Sequence, residues 1–274
     1  MFNRLVPAAL LLVVACGGPV REKSGGGGGG TGGGGKGTST EYSVSAQQNY
    51  DKGMKLLENE EWQEAAKYFG FIKARFPYSK YAVLAELRLA DSAFGLEIYP
   101  EAIDQYKLFI KFHPTHEMVE NGYAAFKIGE GYYHLMPDDW FLVPPSYEKD
   151  LSSAYDAARE IQNVIKNYPR SPFVAKAQEL YTKVAHLLAS HEWYVAEFYW
   201  NRGSPMGTVL RLRTLLKKYS GAGYDEDALM LLGRAYVRVG HKDDAKKSFE
   251  KLIELYPKSQ QAEQARRALA SLGG

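Results

Sequence analysis

The chain has 274 residues, 45% of them hydrophobic, with 34 Lys and Arg against 32 Asp and Glu for a formal net charge of +2. It is long enough to bury a continuous core, and it lacks the basic excess of a nucleic-acid-binding protein. A single cysteine excludes an intrachain disulfide and any metal site built on several thiolates.

Residues 1–15 carry one charge, Arg4, followed by an apolar run from Leu5 to Val14. A bilayer span needs about 20 residues, so the run is too short to cross and reads as an export signal. Ala15-Cys16 closes it and resembles a bacterial lipoprotein signal, in which the cysteine becomes the first residue and carries acyl chains. A plain secretory signal or a buried cysteine is the alternative. At about 0.8 kcal/mol per buried CH₂, several chains anchor a protein without a transmembrane helix. Gly17, not an acidic residue, follows the cysteine, which in lipoprotein sorting permits transport to the outer membrane.

Residues 16–40 form a glycine-rich tether: 13 of the 27 glycines lie between Gly17 and Gly37. Such a segment is flexible, with a root-mean-square reach of roughly 25–30 Å. Gly30, Gly35 and Lys36 approach a phosphate-loop pattern, but Gly37 stands where Ser or Thr would bind magnesium, so nucleotide binding is rejected.

Residues 41–274 are expected to be an all-α domain. Gly53, Ala65, Phe69 and Pro77 are separated by 12, 4 and 8 residues, and Gly233, Ala245, Phe249 and Pro257 repeat that spacing. Ala90, Ala102, Tyr106 and Pro114 make a third copy. The small residue on one helix is expected to face the alanine on the next, letting two antiparallel helices approach to roughly 8–10 Å. The aromatic one turn later fills space against the following unit, and the proline ends the second helix. Ser79, Ser171 and Ser259 are placed to cap the next helix. Five helix-turn-helix units are expected near 46–79, 83–116, 122–171, 173–220 and 226–259, with a capping helix over 260–272.

Two units depart from the pattern. In the third, Gly129 and Ala157 are 28 apart, which implies an insertion containing the apolar, proline-flanked Trp140 and Phe141. That loop is either an interaction site or a cover folded back on the stack. In the fourth, Tyr219-Ser220 replaces aromatic-Pro, and Trp193, Tyr194, Phe198, Tyr199 and Trp200 circle one helix, which must be buried all round or covered by a partner.

No residues gather into a catalytic or metal site. His113 and His116 are split by Pro114, His191-Glu192 lacks a second histidine, and Ser204 lies in no nucleophile elbow. No cofactor is expected. Function therefore resides in a surface.

The Gly, Ala, aromatic and Pro positions resemble the tetratricopeptide repeat, over roughly Ala46 to Leu272. In such a stack, first-helix residues line the groove, which here places Tyr50, Met54, Leu57, Leu87, Asp91 and Phe94 on it. Aromatics with a flexible methionine suit an extended peptide of varying sequence.

The cysteine, tether and five repeats together resemble the BamD family, lipoprotein subunits of the bacterial outer-membrane β-barrel assembly machinery. Phe76-Pro-Tyr-Ser79, Phe112-His-Pro-Thr-His116, Tyr168-Pro-Arg-Ser171, Leu188-Ala-Ser-His-Glu192 and Val195-Ala-Glu-Phe-Tyr199 with Asn201-Arg-Gly203 carry the resemblance. It implies a non-enzymatic scaffold, lipid-anchored at the outer membrane and facing the periplasm. Its N-terminal repeats would receive the C-terminal signal of unfolded barrel precursors. Its C-terminal repeats would dock the central barrel subunit, BamA, in the company of accessory lipoproteins. Arg202 and Arg211 match basic docking positions, although either can be a surface arginine serving solubility. Ser204-Pro205-Met206-Gly207 departs from the family's helix-favouring residues and puts the local geometry, and with it Arg211, in doubt. Repeats ending in Tyr-Pro-x-Ser also resemble the Tol-Pal-associated division coordinators, and a pilus-assembly lipoprotein is a third possibility. Crosslinking from the groove separates these readings.

Overall fold

Prolines and left-handed residues cut the chain into short helices at regular intervals. A computed structural model describes residues 41–137 and 145–272, all within the unit Glu41–Gly274. Every regular element among the described residues is helical. Hairpin one is α1 (Ala46–Glu58) and α2 (Trp62–Arg75), and hairpin two is α3 (Lys80–Gly95) and α4 (Tyr99–Phe112). A short α5 (Glu117–Glu120) leads into hairpin three, α6 (Tyr123–His134) and α7 (Ser152–Asn167), with a 3-10 turn at Ser146–Glu148 between them. Hairpin four is α8 (Val174–Asn201) and α9 (Pro205–Lys218), and hairpin five is α10 (Asp225–Val239) and α11 (Lys242–Leu255), followed by α12 (Gln260–Leu272). The expectations placed on Cys16, on the tether, and on Trp140 and Phe141 lie outside the described residues.

The repeat skeleton is a packing device, with one correction to the sequence reading. The glycine clears the aromatic rather than the alanine: a Cβ on Gly53 would lie 2.8 Å from Phe69 Cε1, and one on Gly233 would lie 2.4 Å from Phe249 Cε1. In hairpin three the same pair is Gly129 and Ile161, at 2.9 Å. Ala65, Phe69, Ala245 and Phe249 are all buried. In hairpins one and five the ring therefore sits inside its own hairpin, in space that a Cβ on the glycine would fill.

Hairpin four carries the skeleton in other residues. Ala196, Thr208, Leu212 and Ser220 keep the 12, 4 and 8 spacing, and the first three are fully buried. Thr208 Oγ1 donates to Ala196 O across the hairpin at 3.3 Å, so the hydroxyl that disguises the pattern is satisfied within it. The Pro205 and Gly207 departures also have reasons. Pro205 opens α9, where its missing N–H costs nothing, and a Cβ on Gly207 would lie 2.8 Å from the Tyr199 ring.

Helix ends follow local chemistry. Phe76, His113, Tyr168 and Tyr256 end α2, α4, α7 and α11 with φ between −129° and −124° and ψ between 50° and 54°, each just before a proline. Tyr219, with Ser220 after it, ends α9 at ψ 26°. The proline ring excludes the helical ψ of its predecessor, and this sets the difference. Of the three serines expected to cap, Ser259 Oγ accepts from Ala262 N at 3.0 Å, and Ser171 Oγ accepts from Phe173 N at 3.2 Å. Ser79 makes no side-chain cap bond.

Successive helices pack as neighbours along the chain. In addition, α1 touches α3, α6 touches α8 and α10 touches α12, first helix to first helix, while no two second helices are comparably close. Between these pairs the stack is joined chiefly through second helices, α4 against α6 and α9 against α10.

Candidate functional site

Tyr50, Met54 and Leu57 are half-buried on α1, where the Tyr50 ring lies 5.7 Å from Phe69 and 5.5 Å from Tyr81. Phe94, half-buried near the end of α3, packs edge-on to Tyr99 at 5.2 Å and carries the Lys127 ammonium 3.9 Å from its centroid. These four stay partly exposed. Two expected members do not. Leu87 is fully buried in the core, and Asp91, at 8% exposure, is taken up by internal partners.

Asp91 is the hub of a buried network joining three hairpin elements. Its Oδ1 accepts from Tyr106 Oη at 2.6 Å and from Tyr123 Oη at 2.7 Å, and its Oδ2 accepts from Arg88 Nη1 at 2.5 Å. Burial first, and then the Asp91 charge, push both phenols well above the usual tyrosine range. Burial opposes the charge on Arg88, but Asp91 and then Tyr50 outweigh it and hold the guanidinium above its ordinary value. Arg88 is the residue that sequence reading missed. It has five N–H donors, and its buried Nε has no hydrogen-bond partner among the described residues. Its i,i+3 spacing to Asp91 was the only signal available, and that pattern is common on any helix.

A cleft of about 720 Å³ opens along hairpins two, three and four, reaching Tyr224 just before α10. Tyr99 stacks on His134 at 4.8 Å along one side. His186, whose Nδ1 bonds Ala222 O at 2.9 Å, and Tyr224 line the other, with Lys183 and Glu97 at the rim. The 3-10 turn closes one end, as His191 Nδ1 bonds Tyr147 O at 2.6 Å and the Tyr147 ring lies 5.2 Å from Tyr194. Alternating aromatic and polar linings of this kind suit an extended polypeptide better than a small molecule.

In the C-terminal half, α8 is not covered on all sides: Phe198 is 45% exposed and Tyr194 39%. Trp200 is covered instead by Arg238, whose guanidinium lies 3.6 Å from its centroid. Arg202 is exposed and rests 4.8 Å from the Phe198 ring. The Arg211 side chain stays 41% exposed, with Nη1 3.4 Å from Oε2 of the buried Glu192 in the same hairpin. No three His, Cys, Asp or Glu residues converge as metal ligands among the described residues. His113 pairs with Glu86 at 2.8 Å, while His116 caps α5 by accepting from Met118 N at 3.1 Å.

Comparison with known proteins bears on this surface. Residues 43–248 match the family described as YfiO, outer membrane lipoprotein. The chain is 28% identical over 210 residues to the outer membrane protein assembly factor BamD of Rickettsia prowazekii (strain Madrid E), covering 77% of this chain and 80% of that protein. It is 26% identical over 197 residues to the protein of the same name from Xylella fastidiosa (strain 9a5c), covering 70% of this chain and 66% of the other. Among solved structures, the TPR2AB-domain:pHSP90-complex of yeast Sti1 aligns with a TM-score of 0.41 and 14% identity over 83% of this chain and 86% of that one.

Proposed function

Because the chain belongs to the YfiO family of outer membrane lipoproteins and acts in outer-membrane protein assembly, we propose that it works there as a scaffold that holds polypeptides rather than transforming them. Family and fold are of a non-catalytic kind. Unfolded barrel precursors bind the first-helix face of hairpins one to three, and BamA, with accessory lipoproteins, docks on the C-terminal hairpins. Neither the division-coordinator reading nor the pilus-assembly reading is favoured by the matches.

One observation supports the precursor site above the rest: the Arg88 charge lies against half-buried Tyr50, on the helix face that Met54 and Leu57 continue. A guanidinium beside apolar side chains suits a chain ending in an aromatic residue and a free carboxylate, since arginine binds carboxylates through paired N–H bonds. For BamA, the exposed Phe198 with Arg202 against it is the better candidate, and Arg211, partly exposed beside Glu192, is a second.

Fluorescence anisotropy with a labelled peptide from the C-terminus of a barrel precursor tests the reading. The free acid is expected to bind about tenfold tighter than its amide, and Arg88→Gln is expected to erase that difference. Met54→Ser, outside the Asp91 network, is expected to weaken both forms alike. Equal binding of acid and amide to the unaltered protein would remove the site.

A further inference from the structure

The second helices of hairpins four and five enclose a cleft whose lining includes neither Phe198 nor Arg202. Its volume is about 710 Å³, and it lies between α9 and α11 over a floor from α10. On α9, Leu210, Arg213, Thr214, Lys217 and Lys218 fall at i, i+3, i+4, i+7 and i+8, a single helix face turned toward the cleft. On α11, Asp244, Lys247, Ser248 and Lys251 do the same. Leu229 and Leu232 are buried beneath, and Leu210 is 58% exposed at the mouth.

The charges are one-sided. Arg213, Lys217, Lys218, Lys247 and Lys251 line the walls against one carboxylate, Asp244, which faces His241 at 3.7 Å. None of the five cations is in an ion pair among the described residues. Elsewhere Lys67, Arg159 and Lys183 pair with Glu64, Asp156 and Glu179, and Lys52, Lys55 and Lys166 do not pair, but here five such cations line one cleft. On α9 such pairing is impossible within the helix, because Pro205–Lys218 contains no Asp or Glu. Its other cation, Arg211, takes its carboxylate from α8.

We propose that this cleft docks an acidic amphipathic segment of a partner polypeptide, with apolar side chains on the leucine floor and carboxylates against both walls. A concave site with an apolar bottom and cationic rims complements that chemistry. A flat anionic membrane would meet the rims and leave the floor unused. From Leu210 to Lys218 the α9 wall runs about 12 Å at 1.5 Å per residue, room for two to three turns of a partner helix. The inference stands on this geometry alone and does not depend on the assembly role.

The probe is a fluorescein-labelled 14-residue peptide with leucines at i, i+3, i+4 and i+7 and glutamates elsewhere, titrated against the full chain. A scramble of the same composition, with the leucines scattered around the helix, serves as the reference. The designed peptide is expected to bind about tenfold tighter than the scramble, more weakly as salt rises, and about tenfold more weakly to the Lys217→Glu/Lys251→Glu variant. Lys166→Glu, an equally exposed lysine on α7, is expected to leave binding unchanged, and Leu210→Ser to weaken it. Far-UV circular dichroism confirms that each variant is folded. The proposal is overturned if design and scramble bind alike, or if the double reversal leaves the affinity intact. It is equally overturned if binding to phosphatidylglycerol vesicles, and not to the peptide, is lost in the double variant.

Discussion

Glu60 and Glu97 hold φ of 62° and 61° at the reversal of hairpins one and two, where Gly203 and Gly240 hold 71° and 88° in hairpins four and five. All four stand seven residues after the small residue that opens the skeleton. The left-handed region costs an L-residue with a side chain about 1–2 kcal/mol, and glycine's freedom in the unfolded chain returns part of that. Glu60→Gly and Glu97→Gly are therefore each expected to stabilise the fold by about 0.5–1 kcal/mol, read as a raised urea midpoint with an unchanged slope. A lowered midpoint would mean that these exposed carboxylates do more than turn the chain. At this scale much was legible. Gly53 with Phe69, and Gly233 with Phe249, announce themselves because steric demand leaves few residue types. Thr208 and Leu212 escaped notice because a threonine with a local acceptor and a leucine meet the same demand without the expected letters.

Contacts between elements were harder to read. Glu130 on α6 is 5% exposed, with Lys127 Nζ at 2.7 Å from its own helix and Lys176 Nζ at 2.7 Å from α8. Burial disfavours its charge, but the bonds and charges of Lys127 and then Lys176 outweigh burial, so its carboxyl sits below the ordinary glutamate range. A folded-state pKa below the unfolded value means that this stabilisation is fully present above the unfolded pKa and is lost as pH falls through the folded one. Thermal midpoints measured from pH 6 down to pH 3 are expected to fall for the unaltered protein below about pH 4.5, and to fall less steeply for Glu130→Gln. Parallel curves would show that Glu130 does not couple α6 to α8. Neither this lock nor the Asp91 hub was visible in the sequence, since each is completed from another hairpin, by Lys176 and by Tyr123. Offset counting put Asp91 and Leu87 in the groove because it registers the face of a helix and not what the neighbouring hairpin places over it.

For the molecule as a whole, no helix among the described residues is long and apolar enough to cross a membrane. The Ala15-Cys16 motif is proposed as the anchor, and Cys16→Ser is expected to move the protein from the membrane to the soluble fraction with its thermal midpoint unchanged. Recovery of that variant with the outer membrane would mean that protein contacts hold it there. The stack of hairpins could be read from a period in the sequence, but the chemistry of its two faces could not, because it emerges only when helices distant in the chain lie side by side. Hairpin three differs from its neighbours in one further way. Residues 135–151 join its helices, whereas two or three residues do so in the other four. A tight reversal ties the register of its helices to the length of the chain, so a single added residue there would rotate every side chain that follows. In hairpin three, Gly129 against Ile161 sets the docking of α6 on α7 whatever spans the gap. Closure entropy grows only logarithmically, about 0.6 kcal/mol per doubling of length. Here the architecture is expected to accept new sequence, an epitope or a whole domain, as long as Tyr147 keeps its contacts with His191 and Tyr194.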